Sequence, residues 1–128
     1  MNACVWKTSV VALLLLSGCG QRNVAMPPAA DPSLARQALE RALTQWQAGQ
    51  TADALAAAEP KTYVNDFEWR DGRKLKQFAV AGPAEEVGVQ VRLPVSIDVE
   101  YSTGQIVRSQ VSYSISTAPV VSIVRDDP

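Results

Sequence analysis

The chain has no histidine, and only two of its 128 residues are cysteines. Without an imidazole, Ser-His and Cys-His nucleophiles and His-ligated metal sites are excluded together. Both cysteines, Cys4 and Cys19, lie near the start. A disulfide framework across the body of the chain is therefore excluded as well. Neither sign of charge is in excess: 12 basic residues face 13 acidic ones, a net charge of −1. Composition thus gives no support to nucleic-acid binding. Long apolar runs are also missing. The stretch from Val10 to Leu16 is far shorter than the ~20 residues that span a bilayer.

What that stretch does resemble is a secretion leader. Lys7 supplies an early positive charge, Val10 to Leu16 form an apolar core, and the small residues Ser17 and Gly18 follow. Leu16-Ser17-Gly18-Cys19 is similar to a bacterial lipobox at all four positions. The resemblance to bacterial lipoproteins covers only these first residues. It implies removal of residues 1–18 and a thioether-linked diacylglycerol on Cys19, often with a further acyl group on the new amino end. Each buried methylene contributes ~0.8 kcal/mol, so two chains anchor a protein stably. Gly20 stands where an aspartate retains enteric lipoproteins at the inner membrane. The resemblance therefore implies an extracytoplasmic protein, with the outer membrane favoured. With Cys4 discarded and Cys19 lipidated, the mature domain carries no thiol.

Removing 18 residues from 128 leaves 110, the length of one domain. Residues 19–30 read as a tether with Pro27-Pro28 and no apolar period. Such a segment can hold the domain about 20–30 Å from a bilayer. Residues 31–128 form the expected single domain.

Asp31-Pro32 opens a helix, with the aspartate as cap and the proline at the first helical position. Leu34, Ala38, Leu39, Ala42, Leu43 and Trp46 make one apolar stripe. Arg36, Glu40, Arg41 and Gln45 lie mainly opposite, with Glu40 placed to pair with Arg36. Gly49 ends this helix. Thr51 caps a second, short helix through Ala58, which buries Ala54, Leu55 and Ala58, and Pro60 stops it.

From Lys61 the period becomes two. Tyr63, Phe67 and Trp69 share a strand face, and Asp71-Gly72 reads as a two-residue hairpin turn. That turn sets Trp69 opposite Lys74, Phe67 opposite Lys76, Tyr63 opposite Val80 and Phe78 opposite Asn65. Val64 and Leu75 fall on the other face. Lys74 and Lys76 then share the aromatic face: either they snorkel at its rim, or the register differs. After a loop from Ala81 to Glu86, Val87, Val89, Val91, Leu93, Val95, Ile97 and Val99 occupy every odd position. This predicts a long half-buried strand, bent or interrupted at Pro94. Residues 102–105 form a hairpin loop. Val107, Val111, Tyr113 and Ile115 alternate on the return, Pro119 breaks it, and Val121 and Ile123 make a final strand or its bent continuation.

The expected fold class is α+β: an N-terminal helix pair packed on one face of a bent antiparallel sheet of about four to five strands. A long helix, a short helix and then a meander of long strands resemble the cystatin-like group, including nuclear-transport-factor-two-like domains. The resemblance covers roughly Asp31 to Arg125 and rests on element order. It implies a helix laid across a curled sheet and, in fuller members, a conical pocket.

Trp46, Tyr63, Phe67, Trp69 and Phe78 are the candidate ligand-binding residues, able to line a helix–sheet pocket for a small apolar ligand. The plainer reading makes them core. Arg70, Arg73, Lys74 and Lys76 cluster near the Asp71-Gly72 turn, where Glu68 and Asp71 partly cancel them. Asp98 and Glu100 fall on the polar strand face, and Asp66 falls away from the aromatic face in the expected register. No residue is therefore placed as catalytic, no metal ligand set is found, and no cofactor is expected. The serine-rich face from Ser109 to Thr117 reads as a polar sheet face able to meet another subunit.

The resulting expectation is a lipid-anchored envelope domain that binds a protein partner without catalysis, or pairs with itself through the sheet. An anchored binder of a small apolar ligand is the first alternative, and a cystatin-like enzyme the second. A cavity of ~300 Å³ or more bounded by Trp46, Phe67 and Trp69 would favour the ligand. A filled core with an exposed patch would favour the partner.

Overall fold

The computed structural model describes residues 28–126. The leader, Cys19 and most of the expected tether lie outside the described residues.

Helix α1 (Pro32–Gln47) begins as the sequence predicts. The Asp31 side chain accepts from the Ser33 and Leu34 amides, and Pro32 needs no partner for an N–H it lacks. Its buried face is Ala35, Ala38, Leu39, Ala42, Leu43 and Trp46. Leu34, expected in the stripe, is 55 % exposed, and the buried place in that turn goes to Ala35. Arg36 and Glu40 pair as expected, 3.3 Å apart. Helix α2 (Ala52–Ala57) is capped by Thr51 and buries no residue fully. Leu55 is half-buried, whereas Ala54 and Ala58 are exposed.

The next segment differs from the expected hairpin. Strand β1 (Thr62–Asn65) is followed by a single helical turn, α3 (Phe67–Arg70), and then by strand β2 (Lys74–Val80). Asp66 caps α3, accepting from the Glu68 and Trp69 amides. A two-residue hairpin turn of the expected kind needs positive φ at both central residues. Asp71 has φ −72 and sits in the right-handed region, while only Gly72, at φ +81, is left-handed. The pair therefore closes a helix: the Gly72 amide donates to Trp69 O and the Arg73 amide to Glu68 O. The expected pairings of Trp69 with Lys74, Phe67 with Lys76, Tyr63 with Val80 and Phe78 with Asn65 are overturned with it, because β1 pairs with β6 and β2 with β4. Leu75, assigned to the far face, is 2 % exposed in the core, and Tyr63 and Phe67 point outward.

The valine run divides at Gly88, not at Pro94. Gly88 has φ +61 and reverses the chain between strand β3 (Glu85–Val87) and strand β4 (Gln90–Glu100). Pro94 stays inside β4. Its carbonyl accepts from the Ala81 amide, so the N–H it lacks would face the same flank. On that flank β4 changes neighbour, from β3 at Arg92 to β2 at Val95. Strand β5 (Ile106–Ser116) returns through the predicted loop, and strand β6 (Val121–Asp126) is a separate strand antiparallel to β5.

The fold is α+β, with a curled sheet of six strands in the order β1-β6-β5-β4-β2, β3 pairing with β4 beyond that path. The sheet is mixed, because β1 runs parallel to β6. The α3 turn carries the chain away from β1 and lets β2 join the opposite edge. Helix α1 lies over the inner face. Val91, Leu93, Val95, Ile97 and Val99 are at most 1 % exposed there, packed with Leu39, Leu43, Leu75, Tyr113 and Ile115. Helix α2 leans on β1 instead.

Candidate functional site

Three places on this frame gather functional side chains. The first is a buried ionic network that α3 builds. Capping α3 draws Asp66 inward, and its carboxylate then meets the ends of β5 and β6. Tyr113 Oη donates to Asp66 Oδ2 at 2.6 Å. Arg125 Nη1 reaches both Asp66 Oδ1, at 3.4 Å, and Glu68 Oε1. Arg73 Nη1 lies 3.4 Å from Glu68 Oε2. The Asp66, Glu68 and Arg125 side chains are 0 %, 4 % and 7 % exposed. The Phe67 ring covers the Arg125 guanidinium at 4.5 Å. Burial pushes the Tyr113 hydroxyl far above the ordinary tyrosine range, and the Asp66 charge adds to the effect. Burial alone would lower Arg125, yet the hydrogen bond to Glu68 and the Asp66 charge raise it. The arrangement therefore holds Tyr113 as a neutral donor and Arg125 as a cation.

Asp66 was expected away from the aromatic face of a hairpin, and its place as the cap of α3, 2 % exposed, corrects that. The signal was present in the sequence. Asp66 followed by Glu68, Arg70 and Gly72 is a capped helical turn with an acidic start, a basic end and a left-handed stop. Both Asp66 oxygens are committed, Oδ1 to the α3 amides and Oδ2 to Tyr113. A general base must reach a substrate proton. These carboxylates instead staple α3 to the sheet.

The second place is the tryptophan pair. Trp46 and Trp69 stack with centroids 5.3 Å apart and planes 5° from parallel. Trp46 Nε1 donates to Arg73 O and Trp69 Nε1 to Gln50 O, both at 2.8 Å. Each indole thus fills the space beside the other and ties down a loop. The five aromatic candidates do not converge. Tyr63 and Phe67 are 47 % and 44 % exposed, and Phe78 is half-buried on β2. The cavity beside the tryptophans measures about 170 Å³ and is walled by Gln50, Thr51, Arg73 and Lys74. A wider cleft of about 380 Å³ adjoins it between Asp71, Lys74, Glu100 and Tyr101. Its charges are mixed, and Arg73 lies flat on the Tyr101 ring at 4.2 Å.

The basic cluster is dispersed in the same region. Arg70 donates to Asn65, Arg73 turns to Glu68 and Tyr101, and Lys76 pairs with Glu100 at 2.9 Å. Asp98 is held by Arg108 at 2.8 Å. The hydrogen bond from Arg108 keeps the Asp98 carboxyl below its ordinary range, and Lys76 does the same for Glu100.

The third place is the sheet face that α1 leaves open. Cross-strand pairing sets Asn65, Val124, Ser114, Arg92 and Glu85 in one row. Tyr63, Ser122, Ser116, Gln90 and Val87 form the next, with Gln90 Nε2 donating to Ser116 Oγ at 3.3 Å. Ser112 pairs with Pro94, and Ser96 with Gln110. Arg92 and Asp126 are matched within this face, and Glu85 stands exposed at its edge. Ser114 donates to Asp126 at 2.6 Å. Arg92 Nε lies 3.3 Å from the same carboxylate, near enough for an ion pair but without hydrogen-bond geometry. The face between these pairs is small and hydroxyl-lined.

No known family matches this chain, and no curated protein or solved structure matches it.

Proposed function

We propose that the chain is a lipid-anchored domain of the bacterial cell envelope, held through Cys19 on the periplasmic side of the outer membrane. In this reading it binds a protein partner and performs no catalysis. The observation that carries the reading is the contrast between the two sheet faces. The inner face is filled by α1 and the stacked tryptophans. The outer face offers Ser96, Ser112, Ser116 and Ser122, bordered by the exposed Tyr63 and Val87. The five strands of the main path, from four to eleven residues long, cover roughly 600 Å² at ~4.8 Å spacing and ~3.3 Å rise. A standard interface takes ~800 Å² per partner. The commitment of Asp66 and Glu68 to internal donors supports the non-catalytic part. The helix laid across a curled sheet supports the resemblance to the cystatin-like group. The indole stacking disfavours the apolar-ligand alternative, because the two rings occupy the place that ligand would need.

The test is cross-linking of the membrane-bound full chain in the native envelope, comparing the wild type with Ser112→Arg and Ser116→Arg. One defined adduct with another envelope protein, lost in both variants, is the expected result. An adduct of twice the chain mass would identify a second copy as the occupant. Adducts unchanged by both substitutions would show that the open face is not the binding surface.

A further inference from the structure

The end of the domain where the tether enters carries most of the exposed apolar side chains. The Ala30 amide donates to Val89 O at 2.8 Å, and Ala30 is buried in the core. The chain from Cys19 therefore enters at the Gly88-Val89 turn, beside the first turn of α1. Val87 flanks that turn and is 40 % exposed. Leu34, in the first turn of α1, is 55 % exposed. Pairing of Ser116 with Ser122 places the loop from Thr117 to Val120 at this same end, and Val120 is 46 % exposed. Tyr63, paired with Ser122, completes the rim at 47 % exposed. The opposite end is mainly charged: Asp71, Arg73, Lys74 and Glu100 surround the loop after β4, and Ile106, paired with Glu100, is the one large exposed apolar residue at that loop. Exposed apolar residues scattered singly over a surface need no explanation, but a set gathered at one pole does.

The geometry points to a second membrane contact: Leu34, Tyr63, Val87 and Val120 seat in the interface of a neutral bilayer and stand the domain upright on it. This inference rests on the lipid anchor at Cys19 proposed above. The length of the tether selects the occupant. Ten residues lie between Cys19 and Ala30, a reach of at most ~40 Å over the eleven steps. Strand β4 alone is ~36 Å long. The charged pole could touch the membrane only with the tether drawn out along the whole domain, whereas the apolar pole is delivered to it. The chemistry of the rim selects the lipid. Asp31, Glu85 and Glu86 lie at this end, and among the described residues Lys61 and Arg92 there are set apart on different strands, with no basic cluster. Attraction to anionic headgroups is therefore not the driving term, and apolar insertion is. The open sheet face beyond the row from Tyr63 to Val87, and the charged cleft, then remain turned to solvent.

The full chain, processed and acylated in a bacterial host, is reconstituted in phosphatidylcholine vesicles with brominated acyl chains. With Cys4 removed and Cys19 acylated, Val120→Cys and Ser102→Cys each introduce a single reactive thiol for a fluorophore. Quenching of the Val120→Cys chain should exceed that of the Ser102→Cys chain by at least threefold. Adding Leu34→Asp and Val87→Asp should reduce it to the Ser102→Cys level while the chain stays acylated. All four altered side chains are exposed, so the fold tolerates them. Equal quenching at the two poles of a chain whose mass confirms acylation overturns the seating alone. A mass without the lipid on Cys19 overturns the anchor and the seating together.

Discussion

Asp66 shows how much one side chain can decide. Its position after β1 makes it the cap of α3, and the cap pulls it inside, where a lone carboxylate would be costly. Tyr113, Arg125 and the α3 amides offset that cost. Removing a partner leaves the charge without a donor, which costs more than the bond is worth. Tyr113→Phe should therefore lower stability by about 1.5–3 kcal/mol, read as a shift in the urea midpoint. Its pH dependence has a definite sign. The folded pKa of Tyr113 is raised above the unfolded value near 10.0. Its contribution is complete below that value and is lost as pH rises above it. The wild type should lose more stability between pH ~9 and pH ~11 than Tyr113→Phe does. Equal alkaline losses would mean that Tyr113 is not held neutral by the fold.

The pairing of β2, β4 and β5 is reinforced on its polar side by two cross-strand ion pairs, Lys76 with Glu100 and Arg108 with Asp98. Lys76 reaches Glu100 because β2 is irregular between Leu75 and Gln77. Both carboxyls lie below their ordinary values, Asp98 through its hydrogen bond from Arg108 and Glu100 through that from Lys76. A depressed carboxyl contributes above its unfolded pKa and loses that contribution as pH falls through the folded one. Asp98→Asn should therefore flatten the acid limb of the stability curve below pH ~4. Molar salt should flatten it in the wild type too, because exposed pairs are screened. An acid limb unchanged by Asp98→Asn would mean that the Asp98–Arg108 pair does not carry the acid sensitivity.

The whole domain depends on one helix lying across one sheet. The apolar layer runs unbroken from α1 through β4 and β5, so its loss should be felt as one cooperative event. Leu39 is fully buried at its centre. Leu39→Ala should cost about 2–5 kcal/mol, and the far- and near-ultraviolet dichroism transitions should still coincide. Separate transitions would mean that the edge built from β1, α2 and α3 unfolds apart from the rest. That edge is where the parallel pairing lies, and it is joined to the main layer through β6 and the Asp66 network.

Local chemistry was readable in order along the chain. The caps at Asp31 and Thr51, the stripe of α1, the alternating valines of β4 and the loop before β5 follow from spacing alone. Each depends on contacts within a few residues or on a strict period of two. The absence of histidine likewise bounded the chemistry before any fold was known. The segment from Tyr63 to Phe78 was not readable in the same way. Its alternating aromatics fit a strand, and Asp71-Gly72 fits a hairpin, but Asp66 and Gly72 fit a helical turn equally well. Tertiary structure decided between them. Arg125 and Tyr113, distant in sequence, supply the donors that make it favourable to turn Asp66 inward. Which aromatics pack and which face solvent followed from that choice. So did the placing of Trp46 against Trp69, and the gathering of Leu34, Tyr63, Val87 and Val120 at one pole. Periodicity marks which side chains are apolar; only the pairing of distant strands fixes where they meet.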